Sequence, residues 1–375
     1  MPVSDSITGW FIRNILLPNA EDIRSAGFVL SKFSEGGQTI SLREFFFPES
    51  FYTIFETKIA KKLGKKGEQS LYSVGKKFGH RYAKLSYFKK SNQLDRKHFE
   101  DFMYMFTRYI EVIYAKKLSH KIIHEKKLIE LTADSYVGCE KNGLGYLLLI
   151  GAWTGGWSFL MDDPHVEGVQ TKCQGRGDKE CKLICAPESN LKKSGLSVLC
   201  ESSLDDLQED YKTYSILNQV YPTVNNNYSL RELIENKIFD YQSGKLFYNK
   251  ERMVGIEASM YYMVDNGFSK NKITKVILFE SAFDSGKAIS AGKDILFVQR
   301  FLAGIGFGDV QVVSAGKNYE VAFNHFPWTV FSQDCDFTLL SGFTSGMLSG
   351  CSNKKIILSK VSKIVGGDGF HVRLA

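Results

Sequence analysis

Hydrophobic residues along the chain switch between a helical and a strand period in a recurring order. Phe28, Val29 and Leu30, then Ile40 and Leu42, flank Ser34-Glu35-Gly36-Gly37, a combination that predicts a hairpin. After Pro48, Phe51, Ile54, Phe55 and Ile59 fall on one helical stripe. Leu71, Val74, Phe78, Tyr82 and Leu85 predict a second helix, and Phe99, Phe102, Met103, Phe106, Tyr109, Ile110 and Ile113 a third. Short strands are predicted over 121–124 and 127–132. A Gly-rich helix follows over 144–161, with Leu149, Trp153, Trp157 and Leu160 as its apolar stripe. Val169, Thr171 and Cys173 alternate on one strand face, as do Cys181, Leu183 and Cys185, with Gly175-Arg176-Gly177-Asp178 as the turn between them. From Pro187 to about Ser229 the pattern turns polar, which marks a linker.

The same order then recurs. Gly37 with Arg43-Glu44 matches Gly244 with Lys250-Glu251. Leu71-Tyr72 with Gly79 matches Leu278-Phe279 with Gly286, and Arg108-Tyr109 matches Arg300-Phe301. Trp153-Thr154-Gly155-Gly156-Trp157 matches Phe343-Thr344-Ser345-Gly346-Met347. Lys172-Cys173-Gln174-Gly175 with Gly177-Asp178 matches Lys363-Ile364-Val365-Gly366 with Gly367-Asp368. Each match is weak alone. Five in one order imply two copies of one supersecondary unit.

Composition narrows the class without naming a function. At 375 residues the chain holds two or three domains, and a 43% hydrophobic fraction supplies their cores. The 28 Phe and 18 Tyr serve a core or an apolar pocket equally well. A net charge of +7 is spread over many lysines rather than gathered in one tract, so no nucleic-acid partner is expected. The stretch 142–161 carries no charge, but its glycines suit a buried helix better than a membrane span. The first residues, MPVSDSITGW, lack a basic-then-apolar leader. With seven cysteines, an odd number, the expectation is a reduced, cytoplasmic protein whose thiols are free or metal-bound.

Three groups of residues suggest chemistry. Cys173 and Cys181 face each other across a short turn. Zinc needs four ligands, and Cys185, His165 and Cys139 are candidates to complete the set; the alternatives are packed free thiols or a hairpin disulfide. Trp153 and Trp157 lie one helical turn apart, as core or as the wall of a pocket. Asp162-Asp163-Pro164-His165 has the composition of a helix-ending turn. There is no Gly-rich phosphate loop ending in Lys-Ser/Thr, no Gly-x-Gly-x-x-Gly after a strand, and no visible set of nucleophile, base and orienting group. The protein is therefore not expected to be an enzyme.

The segment Gly155-Gly156-Trp157-Ser158-Phe159-Leu160-Met161, followed by Cys173, Gly177-Asp178 and Cys181, resembles the C-terminal signature of the 4-vinyl-reductase domain. The second half resembles it more faintly. The resemblance implies an α/β (α+β) fold: two tandem domains, each a helical layer packed on a small antiparallel sheet. The boundaries would be an extension over 1–34, a first domain over 35–187, a linker over 188–235 and a degenerate second domain over 236–375. It also implies likeness to sensor domains of aromatic-responsive activators and to TRAPP-type folds. A homodimer, or a pseudo-dimer of the two halves, would follow. The implied function is non-catalytic binding or sensing of a small hydrophobic molecule in a regulatory role. The alternatives are a scaffold protein and an accessory factor in tetrapyrrole metabolism. Trp153, Trp157, Phe102, Phe106, Tyr109 and His98 would touch the ligand, in a slot between the Gly-rich and third helices. Zinc in the sensors is held by a Glu and three cysteines. Here Cys173 and Cys181 match the hairpin pair, Gln170 stands at the Glu position, and the upstream Cys position falls near Leu147.

Overall fold

The computed structural model describes residues 21–35, 38–139, 146–199, 204, 219–224, 228–242, 244–315, 318–329, 335–366 and 369–375. In chain order its strands and helices are β1 (Glu21–Asp22), β2 (Leu30–Glu35), β3 (Gln38–Pro48), α1 (Glu49–Leu63), α2 (Lys65–Leu85), α3 (Arg96–Tyr114), β4 (Lys117–Ile123), β5 (Leu128–Asp134), α4 (Leu147–Leu160), β6 (Val166–Lys172), β7 (Cys181–Pro187) and α5 (Glu188–Lys193). Then come α6 (Leu230–Glu235), β8 (Asp240–Gln242), β9 (Lys245–Tyr248), β10 (Glu251–Glu257), α7 (Ala258–Ser269), α8 (Lys272–Ser290), α9 (Ile295–Gly304), β11 (Asp309–Ala315), β12 (Asn318–Asn324), α10 (Thr338–Ser352), β13 (Val361–Gly366) and β14 (Gly369–Leu374). The class is α+β, with helices packed on antiparallel sheets. Among the described residues no helix is long and apolar enough to cross a membrane.

By contacts the chain divides into two units. Among the described residues, those of 52–199, with 204, 244 and 245, form the first; those of 21–51, 219–242 and 246–375 form the second. The hairpin of β2 and β3, expected at the start of the first domain, thus groups with the second half. The cause is strand pairing: β3 runs antiparallel to β10 from Glu44↔Glu257 to Pro48↔Met253, within a sheet ordered β1-β2-β3-β10-β9-β8. The linker residues Ser202, Ser203, Asp205, Asp206 and Asn225 to Asn227 lie outside the described residues.

Each unit contains a four-stranded antiparallel sheet, β4-β5-β7-β6 in the first and β11-β12-β14-β13 in the second. Strand order and helix placement are the same in both, so the repeat is one of fold. The repeat is clearest where helices touch. In the first unit a Cβ on Gly151 would lie 2.2 Å from the Tyr72 carbonyl oxygen, and one on Gly155 1.9 Å from that of Lys76. In return, Cβ atoms on Gly75 and Gly79 would meet the carbonyls of Leu148 and Ala152 at 2.0 and 1.9 Å. Helices α2 and α4 therefore cross with their backbones in contact, which only glycine permits. In the second unit Gly342 and Gly346 of α10 meet the carbonyls of Phe279 and Phe283, and Gly286 of α8 meets that of Phe343.

These contacts set the true register. Tyr72 corresponds to Phe279, as the sequence match has it. Gly151 and Gly155 correspond to Gly342 and Gly346, one residue off the match that paired Gly156 with Gly346. The Gly37 and Gly244 match also pairs different turns. Gly244 joins β8 to β9, whereas the hairpin leading into α7 turns at Asn249-Lys250, both at positive φ. Gly37 and Gly367-Asp368 lie outside the described residues.

A buried carboxylate completes each crossing. Glu56 of α1 accepts the backbone N–H groups of Leu147 and Leu148, both at 2.9 Å, at the start of α4. Asp265 of α7 accepts those of Thr338 and Leu339, at 3.1 and 3.4 Å, at the start of α10. The residue before each helix, Tyr146 or Phe337, is left-handed, at φ 55° and 51°. Neither can offer a capping side chain, so a carboxylate from another helix satisfies the exposed N–H groups and meets the positive end of the helix dipole.

Two outcomes follow. Gly155→Ala should cost the first unit about 2–3 kcal/mol, because the added methyl overlaps a backbone oxygen that cannot move. Gly156→Ala, whose nearest described neighbour is 3.9 Å away, should be neutral or gain up to about 1 kcal/mol from helix propensity. Urea unfolding of both variants checks the pair; equal losses would contradict the register. Separately, burial raises the Asp265 carboxyl from 3.8 to about 6. The folded state therefore binds the proton more tightly than the unfolded chain. Its contribution is present below pH 4 and is lost as pH rises towards 6, a change on the order of 3 kcal/mol. The stability of wild type relative to Asp265→Asn should fall by that order between pH 4 and pH 7, measured by denaturant unfolding.

Candidate functional site

The turn between β6 and β7 is built by its own residues. Gly177 adopts φ 95°, which favours glycine. The Asp178 carboxylate accepts the Cys173 backbone N–H at 2.8 Å, and the Cys173 carbonyl accepts from Arg176 and Asp178. This turn sets Cys173 at the end of one strand and Cys181 at the start of the next. Cys139, five residues past β5, reaches the same place. Cys139, Cys173 and Cys181 are 3%, 0% and 5% exposed, and their sulfurs all lie within 4.8 Å of one another. Such a buried group can hold a metal ion.

Backbone and side-chain amides surround the thiols. The Gln174 backbone N–H donates to the Cys181 Sγ at 3.4 Å, and the Gln170 Nε2 donates to the Cys139 Sγ at 3.8 Å. The Cys173 thiol donates to the Cys139 carbonyl at 3.7 Å. Hydrogen bonding from Cys139 and Cys181, with help from the Gly175 N–H and Arg176, holds the Cys173 thiol well below its ordinary range. The same Cys173 bond pushes Cys139 up. Metal binding requires the thiolate form of these groups.

Cys185 and His165, the other expected ligands, do not join the trio. Strand alternation puts Cys185 on the Cys181 side, but four residues further on, roughly 13 Å along the strand. It is fully buried with its Sγ 3.7 Å from the Thr154 hydroxyl, and burial raises its thiol to about 12. His165 is exposed in the turn ahead of β6, at the end of that strand opposite Cys173. Cys139 was open to sequence reading only as a neighbour in the list of thiols. Its role depends on the chain after β5 folding back over the sheet, which no local period signals. In the second copy, the cross-strand pair Ala133↔Cys181 is replaced by Phe323↔Val372, so a methyl-bearing side chain stands where the thiol would be.

The aromatic residues expected to line a slot pack on one another. Trp157 is 2% exposed, donates its indole N–H to the Lys127 carbonyl at 2.8 Å and lies 6.1 Å from the Phe99 ring. Phe102 and Phe106 stack at 6.0 Å, and Phe88 meets both edge-on at 5.1 Å. Phe106 meets Trp153 edge-on at 5.6 Å. Tyr109 is half-buried against Val112. His98 is exposed and bonded to Asp95, the N-cap of α3. The volume released by Gly151 and Gly155 is filled by the α2 backbone and does not open towards α3.

A cavity does exist, between α4 and the sheet. It has a volume of ≈ 40 Å³ and lies between Leu149, Ile150 and Trp153 of that helix and Leu131, Ala133 and Leu183 of the sheet. Tyr136, Gln170, Cys139 and Cys181 share its wall. Trp153 is half-buried there and donates to the Tyr136 hydroxyl at 3.0 Å.

No family model matches the chain, and no curated protein matches it. Among solved structures, the phenol-responsive sensory domain of the transcription activator PoxR, with phenol, is similar at a TM-score of 0.34 and 14% identity. The match covers 52% of this chain and 98% of that one. That likeness is too distant to bear on function, so the reading below rests on the site.

A second buried cluster in the first unit went unread in the sequence. Lys76 of α2, fully buried, lies 2.6 Å from Glu167 of β6. Glu167 also accepts the Tyr72 hydroxyl at 2.6 Å, and that hydroxyl accepts the Gly168 N–H at 2.8 Å. Helical spacing of Tyr72 and Lys76 was visible, but nothing local announced their carboxylate partner. Burial and the Glu167 charge push the Tyr72 hydroxyl well above its ordinary range, so it stays a donor. The cluster ties the helix pair to the sheet that carries the thiols. Lys76→Ala should cost about 3–5 kcal/mol by stranding the Glu167 charge, while Lys76→Met with Glu167→Leu should recover much of it. Thermal unfolding of the single and double variants decides; a benign single variant would show that Glu167 is not ionised in the fold.

Proposed function

We propose that the protein binds a small hydrophobic molecule without transforming it, in a sensing role, and that the first unit is the receptor. The observation that carries this reading is the cavity beside the thiol cluster, whose wall is mostly apolar with Tyr136, Gln170 and Lys182 among its lining residues. Ligand sites have that make-up. A drug-sized ligand needs roughly 300 Å³. At ≈ 40 Å³ the cavity admits only a few atoms until Trp153 swings out. The Trp153 bond to Tyr136 is then the latch that occupancy would release.

The thiol cluster suits a zinc ion in a supporting role. Cys139, Cys173 and Cys181 would hold it, and the bound ion would fix the chain after β5 to the β6–β7 turn. The second unit would bind no metal.

Exposed Ile273 and Val276, at 45% and 48% on neighbouring turns of α8, favour a second reading, that of a scaffold with a protein partner.

Small aromatic and aliphatic hydrophobes, titrated against the metal-loaded protein, should raise its unfolding temperature. At a hundredfold excess over Kd the gain is about 2.7 kcal/mol. Trp153→Ala, which enlarges the cavity, should admit bulkier members of the panel. No stabilisation of either protein by any member would reject the ligand reading and leave the scaffold. Elemental analysis should give one zinc per chain, lost in Cys173→Ser and kept in Cys185→Ser. Zinc retained in Cys173→Ser would contradict the assignment of ligands.

A further inference from the structure

We infer that Glu44, facing Glu257 across the β3–β10 pair, keeps its proton in the folded protein, and that this proton fastens β3 to β10. The end of the β2–β3 hairpin then loosens as pH rises. The pair lies in the second unit, apart from the thiols and the cavity.

Three observations carry it. First, Glu44 and Glu257 are direct cross-strand partners. Side chains so opposed share one face, with Cβ atoms roughly 4.5–5.5 Å apart, and like charges there repel. The two residues are 9% and 4% exposed, so water screens little of that repulsion. Facing carboxyls relieve it by leaving one of them protonated.

Second, the neighbours decide which one. Glu257 is the N-cap of α7 and accepts the Ser259 backbone N–H at 3.2 Å as well as the Ser259 hydroxyl. A helix start favours a negative charge, so the charge belongs on Glu257. Glu44 accepts only the Ser31 hydroxyl, and no cation acts on it among the described residues. Lys32 and Arg43 alternate to the opposite strand face. Lys32 pairs there with Asp22 at 3.0 Å, and Arg43 donates to the Gly306 carbonyl at 2.8 Å. The Tyr261 hydroxyl is held on the core side by the Phe45 and Val254 carbonyls, at 3.3 and 3.4 Å. Burial, with the Glu257 charge, raises the Glu44 carboxyl from 4.5 to about 7 against the lowering effect of Ser31.

Third, Glu44↔Glu257 is the terminal pair of the β3–β10 register. A strand end can part while the remaining pairs hold. In the sheet order β1-β2-β3-β10, β1 and β2 are attached through β3 alone. An exposed carboxyl binds its proton less tightly than the buried Glu44, so parting releases a proton. Opening thus becomes about tenfold easier per pH unit from about 4.5 to about 7, and levels off above.

Hydrogen exchange of the full chain, read at the amides of residues 43–47 and corrected for intrinsic rates, tests this. Protection should fall about tenfold per pH unit between about pH 5 and 7 and then level off. Glu44→Gln, neutral throughout, should lose the slope. It should also lose, at pH 6, the infrared carbonyl stretch of a protonated carboxyl. Asp265→Asn, which removes the other buried carboxyl raised into this range, should keep the slope. Glu257→Gln should move the levelling point to lower pH by removing the facing charge. Ser31→Ala should move it to higher pH by removing a donor to the ionised form. These opposite shifts decide the matter even where Glu44→Gln does not fold, since general destabilisation cannot produce them. Flat protection in wild type, a slope retained in Glu44→Gln, or shifts of one sign in Glu257→Gln and Ser31→Ala would each overturn the inference.

Discussion

The contact between bare helix backbones is the constraint on which each unit depends. Where α2 crosses α4, and again where α8 crosses α10, carbonyl oxygens occupy the space that a side chain would fill. Two helices at that distance behave as one rigid layer, and the four-stranded sheet packs against it. The buried carboxylates belong to the same arrangement. A helix start pressed into the interior needs its N–H groups satisfied, and Glu56 and Asp265 do so from corresponding positions. In the first unit the Lys76–Glu167 pair then joins this layer to β6, two strands from the chain segment that brings in Cys139.

The two copies have diverged around this shared frame. The second has filled its interior with aromatics. Phe47 lies 4.6 Å from Tyr261 and 4.9 Å from Phe343, and Phe326 lies 4.2 Å from Trp328. Phe283 occupies the position that Lys76 holds in the first copy, and Val372 that of Cys181. Both copies bury polar groups, but the first also buries the thiols of Cys139, Cys173, Cys181 and Cys185 and has a cavity beside its sheet. The thiol cluster and the cavity beside it motivate placing function in the first copy.

Much of the fold was legible in the sequence, because periods of two and of about 3.6 residues survive in each strand and helix. The order of elements, the repeat and the α+β class all follow from them. The one-residue slip at the Gly-rich helix arose because Thr154 and Thr344 are identical residues, whereas the fold is registered by the contact-bearing glycines. The assignment of β3 could not be read locally, since pairing with β10 links residues about two hundred positions apart. The site was legible in part. The hairpin signature located Cys173 and Cys181 through the Gly177-Asp178 turn. Cys139 depends on tertiary folding, and strand geometry separates Cys185 and His165 from the trio. The slot imagined beside Trp157 was absent for a simple reason: glycines in a helix make room for a neighbouring backbone as readily as for a ligand.

The central claim is a three-thiolate metal site in the first unit beside a ligand cavity. X-ray absorption at the zinc edge of the purified, full-length protein tests it most directly. The expected spectrum fits three sulfur scatterers at about 2.3 Å and one lighter nitrogen or oxygen neighbour at about 2.0–2.1 Å. Four sulfurs would mean that a further cysteine closes the site, and a shell of nitrogen and oxygen alone would place the ion elsewhere. Either result would contradict the account.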